Sequence, residues 1–223
     1  MATLATSRLN RLPVAERGIT IGDFLVPIRL SERVSARVRH VFLIVAGALL
    51  IALTANYSVP VPGSPVPVTG QTLAVLLVGG ALGLRRGALA TGLYLVLGMF
   101  LPVYAGHASG IATIATFSSG HLVLGATGGY LIGFVIAAAA VGRLAELGWD
   151  RHLAGAASAM LIGNALIYLV GLPWLALATG FTLQQTIEKG LVPFLVGDVV
   201  KLVLAGALFP LAWWVVGRRP GER

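Results

Sequence analysis

Residues 191–217 read LVPFLVGDVVKLVLAGALFPLAWWVVG, an apolar run long enough to cross a bilayer as a helix. Two ionisable residues, Asp198 and Lys201, lie inside it, three positions apart. Charged groups at that depth are costly, and those that persist usually face a cavity or the interior of a bundle. A spacing of three places both side chains on one face of a helix, within reach of each other and of one small ligand. The run therefore predicts a membrane protein with a polar site inside its bundle.

The composition of the whole chain also indicates a membrane protein. Of the 223 residues, 57% are hydrophobic and 11% are charged, whereas ordinary soluble domains carry about 25% charged residues. The mean hydropathy is +0.90. The 29 glycines are typical of helices that pack closely in lipid. The chain has no cysteine, which excludes disulfides, thiolate metal sites and cysteine nucleophiles.

Six apolar runs are long enough to be considered as membrane spans. They lie at about 38–56, 69–84, 87–101, 128–142, 153–171 and 191–217. The second, third and fourth are shorter than the roughly 20 residues that a span needs, so we expect some to tilt or to continue into the flanking segments. We predict an all-α polytopic membrane protein with six transmembrane helices. Between the last two runs we expect a short helix or a re-entrant turn, because residues 173–176 are apolar.

The basic residues set the predicted orientation. With six spans, one side of the membrane receives Arg8, Arg11, Arg17, Arg29, Arg33, Arg37, Arg39, Arg85, Arg86, Arg143, Arg151, Arg218, Arg219 and Arg223. The other side receives only Lys189. The positive-inside rule then places both termini in the cytoplasm. The net charge of +8 follows from these loops and ends, so we do not interpret it as nucleic-acid binding.

The chain divides into an N-terminal arm and a membrane domain. Residues 1–33 are expected to form a basic cytoplasmic or interfacial arm, because charges interrupt their apolar residues and no signal-peptide core appears. Residues 34–223 form the six-helix domain. The proline-rich segment 59–68 is stiff and uncharged, and is expected to lie over the outer mouth of the bundle. Segment 102–127 is expected to be a binding loop or a plain connector.

Six short motifs follow one another in an order that resembles the BioY family. They are PVPVTGQTL at 65–73, GLRRGA at 83–88, LYLVLG at 93–98, LPVYAG at 101–106, LGATGGYLIGF at 124–134 and PFLVGDVVK at 193–201. Each motif alone is modest, but the ordered set is specific. The resemblance covers roughly residues 40–215 and leaves the N-terminal arm outside.

BioY proteins are the biotin-binding membrane subunits, or S components, of energy-coupling factor (ECF) transporters. The resemblance implies six transmembrane helices, a ligand cavity near the outer face, and biotin uptake across the inner (plasma) membrane of a prokaryote. It implies that a transmembrane coupling subunit and two ATPase subunits supply the energy, since this chain has no Walker-type loop. Such coupling subunits contact an Ala-x-x-x-Ala face on the first helix. That pattern falls here on Ala48 and Ala52, for which simple bundle packing is the alternative.

The chemistry of biotin matches the polar residues of the spans. A buried carboxylate needs a cation or several donors. Lys201 can supply the cation and Asp198 can hold its ammonium in place, although such a pair can also be a structural lock between helices. The ureido ring needs donors and acceptors, which we expect from Gln71, Thr72, Thr127 and the loop backbone near Gly106. The other residues expected at the cavity are Tyr94, Tyr104 and Trp174 as apolar wall, and Asn164 and Tyr168 on one face of the fifth span.

Two other classes of function compete with a transport subunit. An ion-coupled or solitary carrier of another small carboxylate vitamin would use Asp198 as its titrating group, but the sequence has no inverted repeat and no second buried acid to favour it. An intramembrane enzyme needs a nucleophile–base pair or a metal cluster within the spans. His107 and His121 lie in one loop without carboxylates nearby, so we predict no metal site, no cofactor and no enzymatic activity.

Overall fold

The structure, a computed structural model, describes residues 19–25, 35–118 and 120–216. Its helices are α1 (Ile21–Leu25), α2 (Ala36–Ala55), α3 (Gln71–Phe100), α4 (Gly128–Glu146), α5 (Leu153–Thr179), α6 (Leu183–Gly190) and α7 (Val192–Val216). Short 3-10 turns lie at Ala105–His107, Ile111–Thr113 and Trp149–Arg151. Two antiparallel hairpins pair β1 (Ser58–Val59) with β2 (Val68–Thr69) and β3 (Ala115–Ser118) with β4 (His121–Leu124).

Five helical segments of the described chain are long and apolar enough to cross a membrane. They are α2, α3 with its extension to His107, α4, α5 and α7. The chain is therefore mostly helical, as the apolar runs predict. Helix α5 continues through Pro173 to Thr179, beyond the predicted end at 171, because a membrane helix tolerates a proline where neighbouring groups satisfy its backbone. A short helix, α6, does lie before the last run, but the apolar residues 173–176 on which that expectation rested belong to α5. The two hairpins are the β structure that the all-α prediction lacks.

Helix α3 is a helical hairpin that reverses direction at Gly83. Gly83 has φ 84° and ψ 177°, a conformation that glycine adopts without steric cost. A Cβ on Gly87 would lie 2.8 Å from the Cα of Gly79, whereas eight residues of a straight helix span about 12 Å. The limbs 71–82 and 84–100 therefore lie side by side. The predicted runs 69–84 and 87–101 correspond to these two limbs.

Charged side chains satisfy the backbone groups exposed by this reversal. The Leu84 N–H donates to Glu146 Oε1 at 2.9 Å, and Arg86 Nε donates to the Leu82 carbonyl at 2.8 Å. Arg86 also forms an ion pair with Asp23 of α1, with 2.8 Å between Nη1 and Oδ1. Of the predicted N-terminal arm, residues 19–25 thus lie against the reversal. The rest of the predicted arm lies outside the residues that the structure describes.

Glycines allow the hairpin limbs and α4 to pack with little separation between backbones. A Cβ at Gly79 would lie 2.6 Å from the Ala138 carbonyl oxygen, and one at Gly142 would lie 2.4 Å from the Gly83 carbonyl carbon. Gly133 lies similarly close to the backbone of Ile167 on α5. Small residues are the usual means of close helix contact in lipid, where no hydrophobic effect drives helices together. The packing brings the starts of α3 and α4 to one end of the bundle.

The close approach at Gly79 gives a stability prediction with an internal control. Gly79→Ala should destabilise the protein by about 1–3 kcal/mol, because the added methyl meets the α4 backbone. Gly92→Ala lies on the same helix with no atom within 4 Å of the added Cβ. It should be neutral or stabilising by up to about 1 kcal/mol, since alanine favours helix. Thermal unfolding in detergent measures both variants. Equal midpoints for the two variants would contradict this packing.

Candidate binding site

Lys201 on α7 is held by hydrogen bonds that link three helices. Its Nζ donates to Thr72 Oγ1 of α3 at 2.7 Å and to Asp198 Oδ1 at 3.4 Å. The other carboxylate oxygen, Oδ2, accepts a hydrogen bond from the Tyr168 hydroxyl of α5. The side chains of Lys201 and Asp198 are 13% and 9% exposed. Both oxygens of the carboxylate are thus used, while the ammonium keeps a third donor for a ligand.

A cavity of about 240 Å³ lies beside this network. Its lining comes from the β1–β2 link, β2, the start of α3, the loop that follows α3, and helices α4, α5 and α7. The lining residues are Pro65, Val66, Pro67, Thr69, Gln71, Thr72, Tyr104, Ala105, Ala108, Thr113, Thr127, Tyr130, Leu131, Phe134, Ile167, Tyr168, Phe194 and Lys201. Lys201 is the one charged side chain among the described lining residues. The cavity therefore suits a small, mostly apolar molecule with one anionic group.

Amide and hydroxyl groups form a second polar region at the start of α3. Thr69 Oγ1 donates to Gln71 Oε1 at 3.1 Å, and the Gln71 backbone N–H donates to Thr69 Oγ1 at 3.3 Å. Gln71 Nε2 donates to the Tyr94 hydroxyl on the other limb of α3. These contacts orient the buried Gln71 amide and leave one of its two N–H donors available. The hydrogen bond between Gln71 and Tyr94 is possible because the reversal at Gly83 brings the two ends of α3 together.

Aromatic and aliphatic side chains from α4, α5 and α7 form the apolar wall. Tyr130 packs edge-on against Tyr168 with ring centroids 6.3 Å apart, and its hydroxyl donates to the Gly190 carbonyl at 2.9 Å. Phe134, Ile167 and Phe194 complete this side. All three are buried, at 4%, 1% and 8% exposed. Such a wall can pack on the non-polar part of a ligand and exclude water from its charged end.

Six of the residues expected at the cavity line it. These are Gln71, Thr72, Tyr104, Thr127, Tyr168 and Lys201. Asp198 and Tyr94 stand behind the lining, where they bind Lys201 and Gln71 respectively. Gly106 is exposed with φ 64°, and its segment reaches the cavity through Ala105 and Ala108 instead.

Asn164 and Trp174 are not among the described lining residues. Asn164 is buried on α5, one helical turn before Tyr168. The Trp174 indole N–H donates to the Gly125 carbonyl at 2.9 Å. A Cβ on Gly129 would lie 2.2 Å from the Trp174 Cβ, so the tryptophan packs on α4. Its role in this arrangement is to join α5 to α4 and the preceding loop.

Sequence reasoning missed apolar and aromatic residues of the lining, among them Tyr130, Phe134, Ile167 and Phe194. Tyr130 and Phe134 follow Thr127 at spacings of three and seven, which places all three on one face of α4. That spacing was a usable signal once Thr127 was expected at the site. No comparable signal exists for Ile167, which precedes Tyr168, or for Phe194, which lies in an apolar run. In a membrane helix an apolar side chain can face lipid, protein or a cavity, and the sequence does not distinguish these surroundings.

Ala48 and Ala52, at which contact with a coupling subunit is expected and bundle packing is the alternative, lie inside the bundle in this arrangement of helices. The two residues are 0% and 6% exposed, and both belong to the core of the bundle. Their neighbour Gly47 faces Val78, Leu82 and Ala90 of α3. Small residues on this face of α2 therefore allow close contact with α3 within the chain. The exposed face of α2 carries large apolar side chains such as Val45, Leu49 and Leu53.

Comparison with known proteins identifies close relatives. The model of the BioY family matches residues 30–218. The probable biotin transporter BioY of Pyrococcus horikoshii is 40% identical over 162 residues, covering 71% of this chain and 88% of the relative. The biotin transporter BioY of Thermotoga maritima is 34% identical over 167 residues, covering 74% and 92%.

A solved structure has the same fold. The crystal structure of the S-component for biotin from an ECF-type ABC transporter matches with a TM-score of 0.69 at 25% identity. The match covers 78% of this chain and 90% of that one. The family match spans nearly all of the membrane domain and includes the cavity residues described above. The chain therefore belongs to the BioY family of multi-pass membrane proteins.

Proposed function

We propose that this chain captures biotin as the S component of an ECF-type ABC transporter. The observation that carries the proposal is a buried lysine at the wall of a small, mostly apolar cavity, in a chain of the BioY family. Relatives named biotin transporters and the biotin S-component structure support the choice of vitamin. A binding and transport subunit of this kind is not an enzyme.

The topology proposed for this function has six membrane crossings with both termini in the cytoplasm of a prokaryotic cell. The reversal at Gly83 supports counting the two limbs of α3 as separate crossings. Arg85 and Arg86 follow that reversal, and the hydrogen bond from Leu84 to Glu146 brings the end of α4 to the same side. The positive-inside rule makes this side cytoplasmic. The cavity lies at the opposite end, where α3 and α4 begin, and so opens toward the outer face.

Within the cavity, the proposed role of Lys201 is to bind the biotin carboxylate. An ammonium and a carboxylate that are both withdrawn from water need each other to offset the cost of desolvation. Asp198 and Tyr168 keep the lysine charged and oriented before the ligand arrives. We assign the ureido ring to the region of Thr69, Gln71 and Thr127, and the fused tetrahydrothiophene ring with its valeryl chain to the aromatic wall of α4 and α7.

Biotin uptake by this route requires partner subunits. We propose a transmembrane coupling subunit and two ATPase subunits, consistent with the ECF-type transporter to which the solved S-component belongs. We propose that the docking surface lies on α2, whose exposed face carries large apolar side chains such as Leu49 and Leu53, while Ala48 and Ala52 lie behind that face within the chain. The alternative function is that of an ion-coupled or solitary carrier of another small carboxylate vitamin. The binding assay described next distinguishes the two functions by their ligand.

The purified chain is expected to bind biotin without a partner protein and without nucleotide. The cavity and its polar groups come from this chain alone, so no other subunit is needed to complete the site. Isothermal calorimetry in detergent with biotin, pantothenate and nicotinate measures this directly. Heat of binding for another vitamin and none for biotin would contradict the choice of substrate.

Lys201→Met is expected to weaken biotin far more than it weakens biotin amide. Removing the lysine leaves the biotin carboxylate buried without a partner, a loss of roughly 3–5 kcal/mol. The amide carries no such charge. Calorimetry of both ligands against both proteins gives the difference between the two losses.

A second variant controls for the effect of Lys201→Met on Asp198. The single change also leaves the Asp198 carboxylate buried without its lysine, which can weaken both ligands through the protein. The double change Asp198→Asn/Lys201→Met removes that charge as well. Biotin should remain selectively weakened in the double variant. Equal losses for acid and amide in both variants would mean that the Asp198–Lys201 pair is structural.

A further inference from the structure

The β3–β4 hairpin has one apolar face and one mostly polar face. Its register pairs Ala115 with Leu124, Thr116 with Val123, Phe117 with Leu122 and Ser118 with His121. Because side chains alternate across a strand, successive pairs point to opposite faces. One face is therefore Ala115, Phe117, Leu122 and Leu124. The other face is Thr116, Ser118, His121 and Val123.

The outer half of the apolar face is uncovered by the rest of the chain. Phe117 is 76% exposed and Leu122 is 61% exposed. Ala115 and Leu124, at the base of the same face, are only partly exposed. A cross-strand aromatic and aliphatic pair left open on one face is unusual for a water-facing hairpin. An exposed pair of this kind is expected where lipid or another apolar surface covers it.

The hairpin also lacks the charges that protect exposed strands in water. The chain has no Asp, Glu, Lys or Arg from Gly87 to Gly142. Edges of exposed sheets usually carry such residues to prevent association with other strands, and an isolated two-stranded hairpin is at best marginally stable in water. The uncharged composition is compatible with a lipid surface and avoids the cost of bringing charge into it.

The base of the hairpin is attached to the ends of two membrane helices. The Gly110 N–H donates to the Gly98 carbonyl of α3 at 2.9 Å, and the Gly125 N–H donates to the Ile114 carbonyl at 2.8 Å. Trp174 of α5 donates to the Gly125 carbonyl. Phe100, at the end of α3, is itself 79% exposed. Exposed apolar side chains therefore occur both at the end of α3 and on the hairpin that is attached to it.

We propose that the apolar face of the β3–β4 hairpin lies in the interfacial layer of the membrane. Phe117 and Leu122 enter the lipid, and Ser118 and His121 face water from the opposite side of the hairpin. Aromatic side chains favour this layer, which offers both apolar and hydrated surroundings. The lipid then anchors the loop that also carries the cavity residues Ala108 and Thr113.

Spin labels test the proposal in the full chain, which contains no cysteine. Phe117→Cys, Leu122→Cys and the control His121→Cys are each labelled with a nitroxide. The labelled proteins are placed in nanodiscs of phosphatidylethanolamine and phosphatidylglycerol. Power saturation then compares collisions with oxygen, which concentrates in lipid, and with a neutral nickel chelate, which stays in water. The oxygen-to-nickel ratio should be several-fold higher at 117 and 122 than at 121.

Two outcomes overturn the proposal. Equal ratios at all three positions contradict it, because low values mean that both faces of the hairpin lie in water and high values mean that both lie in lipid. Low access of both reagents to 117 and 122 means that protein covers them, and dipolar broadening between labels identifies that protein as a second copy of the chain. Circular dichroism and thermal unfolding of each labelled protein show that it is folded. Phe117 and Leu122 are both exposed, so the core is unaltered and the two labels serve as independent replicates.

Discussion

The site depends on the requirement that a lysine ammonium buried among membrane helices be compensated. Lys201 meets that requirement through Asp198 on its own helix and Thr72 on α3, while Asp198 accepts from Tyr168 on α5. Moving any of these three helices would leave a charge or a donor unsatisfied in a medium of low polarity, at a cost of several kcal/mol. One charge thus specifies the relative positions of α3, α5 and α7, and the cavity lies where they meet.

The reversal of α3 supplies the second half of the site. Gly83 lets the two limbs lie side by side, and Arg86 and Glu146 satisfy the backbone groups at the turn. At the far end of the limbs, Gln71 reaches Tyr94. The turn at one end of the bundle therefore positions polar ligand-facing groups at the other. Close glycine contacts with α4 hold the two limbs side by side, so that Gln71 and Tyr94 remain within hydrogen-bonding distance.

The sequence predicted the parts of this protein that follow from membrane thickness and from polarity. Long apolar runs specified helices, and polar residues within them, such as Gln71, Thr72 and Lys201, stood out as site residues that line the cavity. Strands of four residues in an uncharged loop carry no such signal, so the β3–β4 hairpin was missed. Ile167 and Phe194 were missed because nothing in the sequence distinguishes them from lipid-facing residues, whereas Tyr130 and Phe134 could have been found from their helical spacing to Thr127. For Ala48 and Ala52, spacing indicated close contact but not which helix would be contacted.

The central claim is that Lys201 binds the ligand carboxylate, and a structure of the purified chain saturated with biotin tests it most directly. The distance between Lys201 Nζ and the nearer carboxylate oxygen is the decisive quantity. We expect a charge-assisted hydrogen bond of about 2.7–2.9 Å, with the ureido ring toward Thr69 and Gln71. A biotin bound in the opposite sense, with its ureido oxygen on Lys201 and its carboxylate near the cavity mouth, would contradict this role of Lys201.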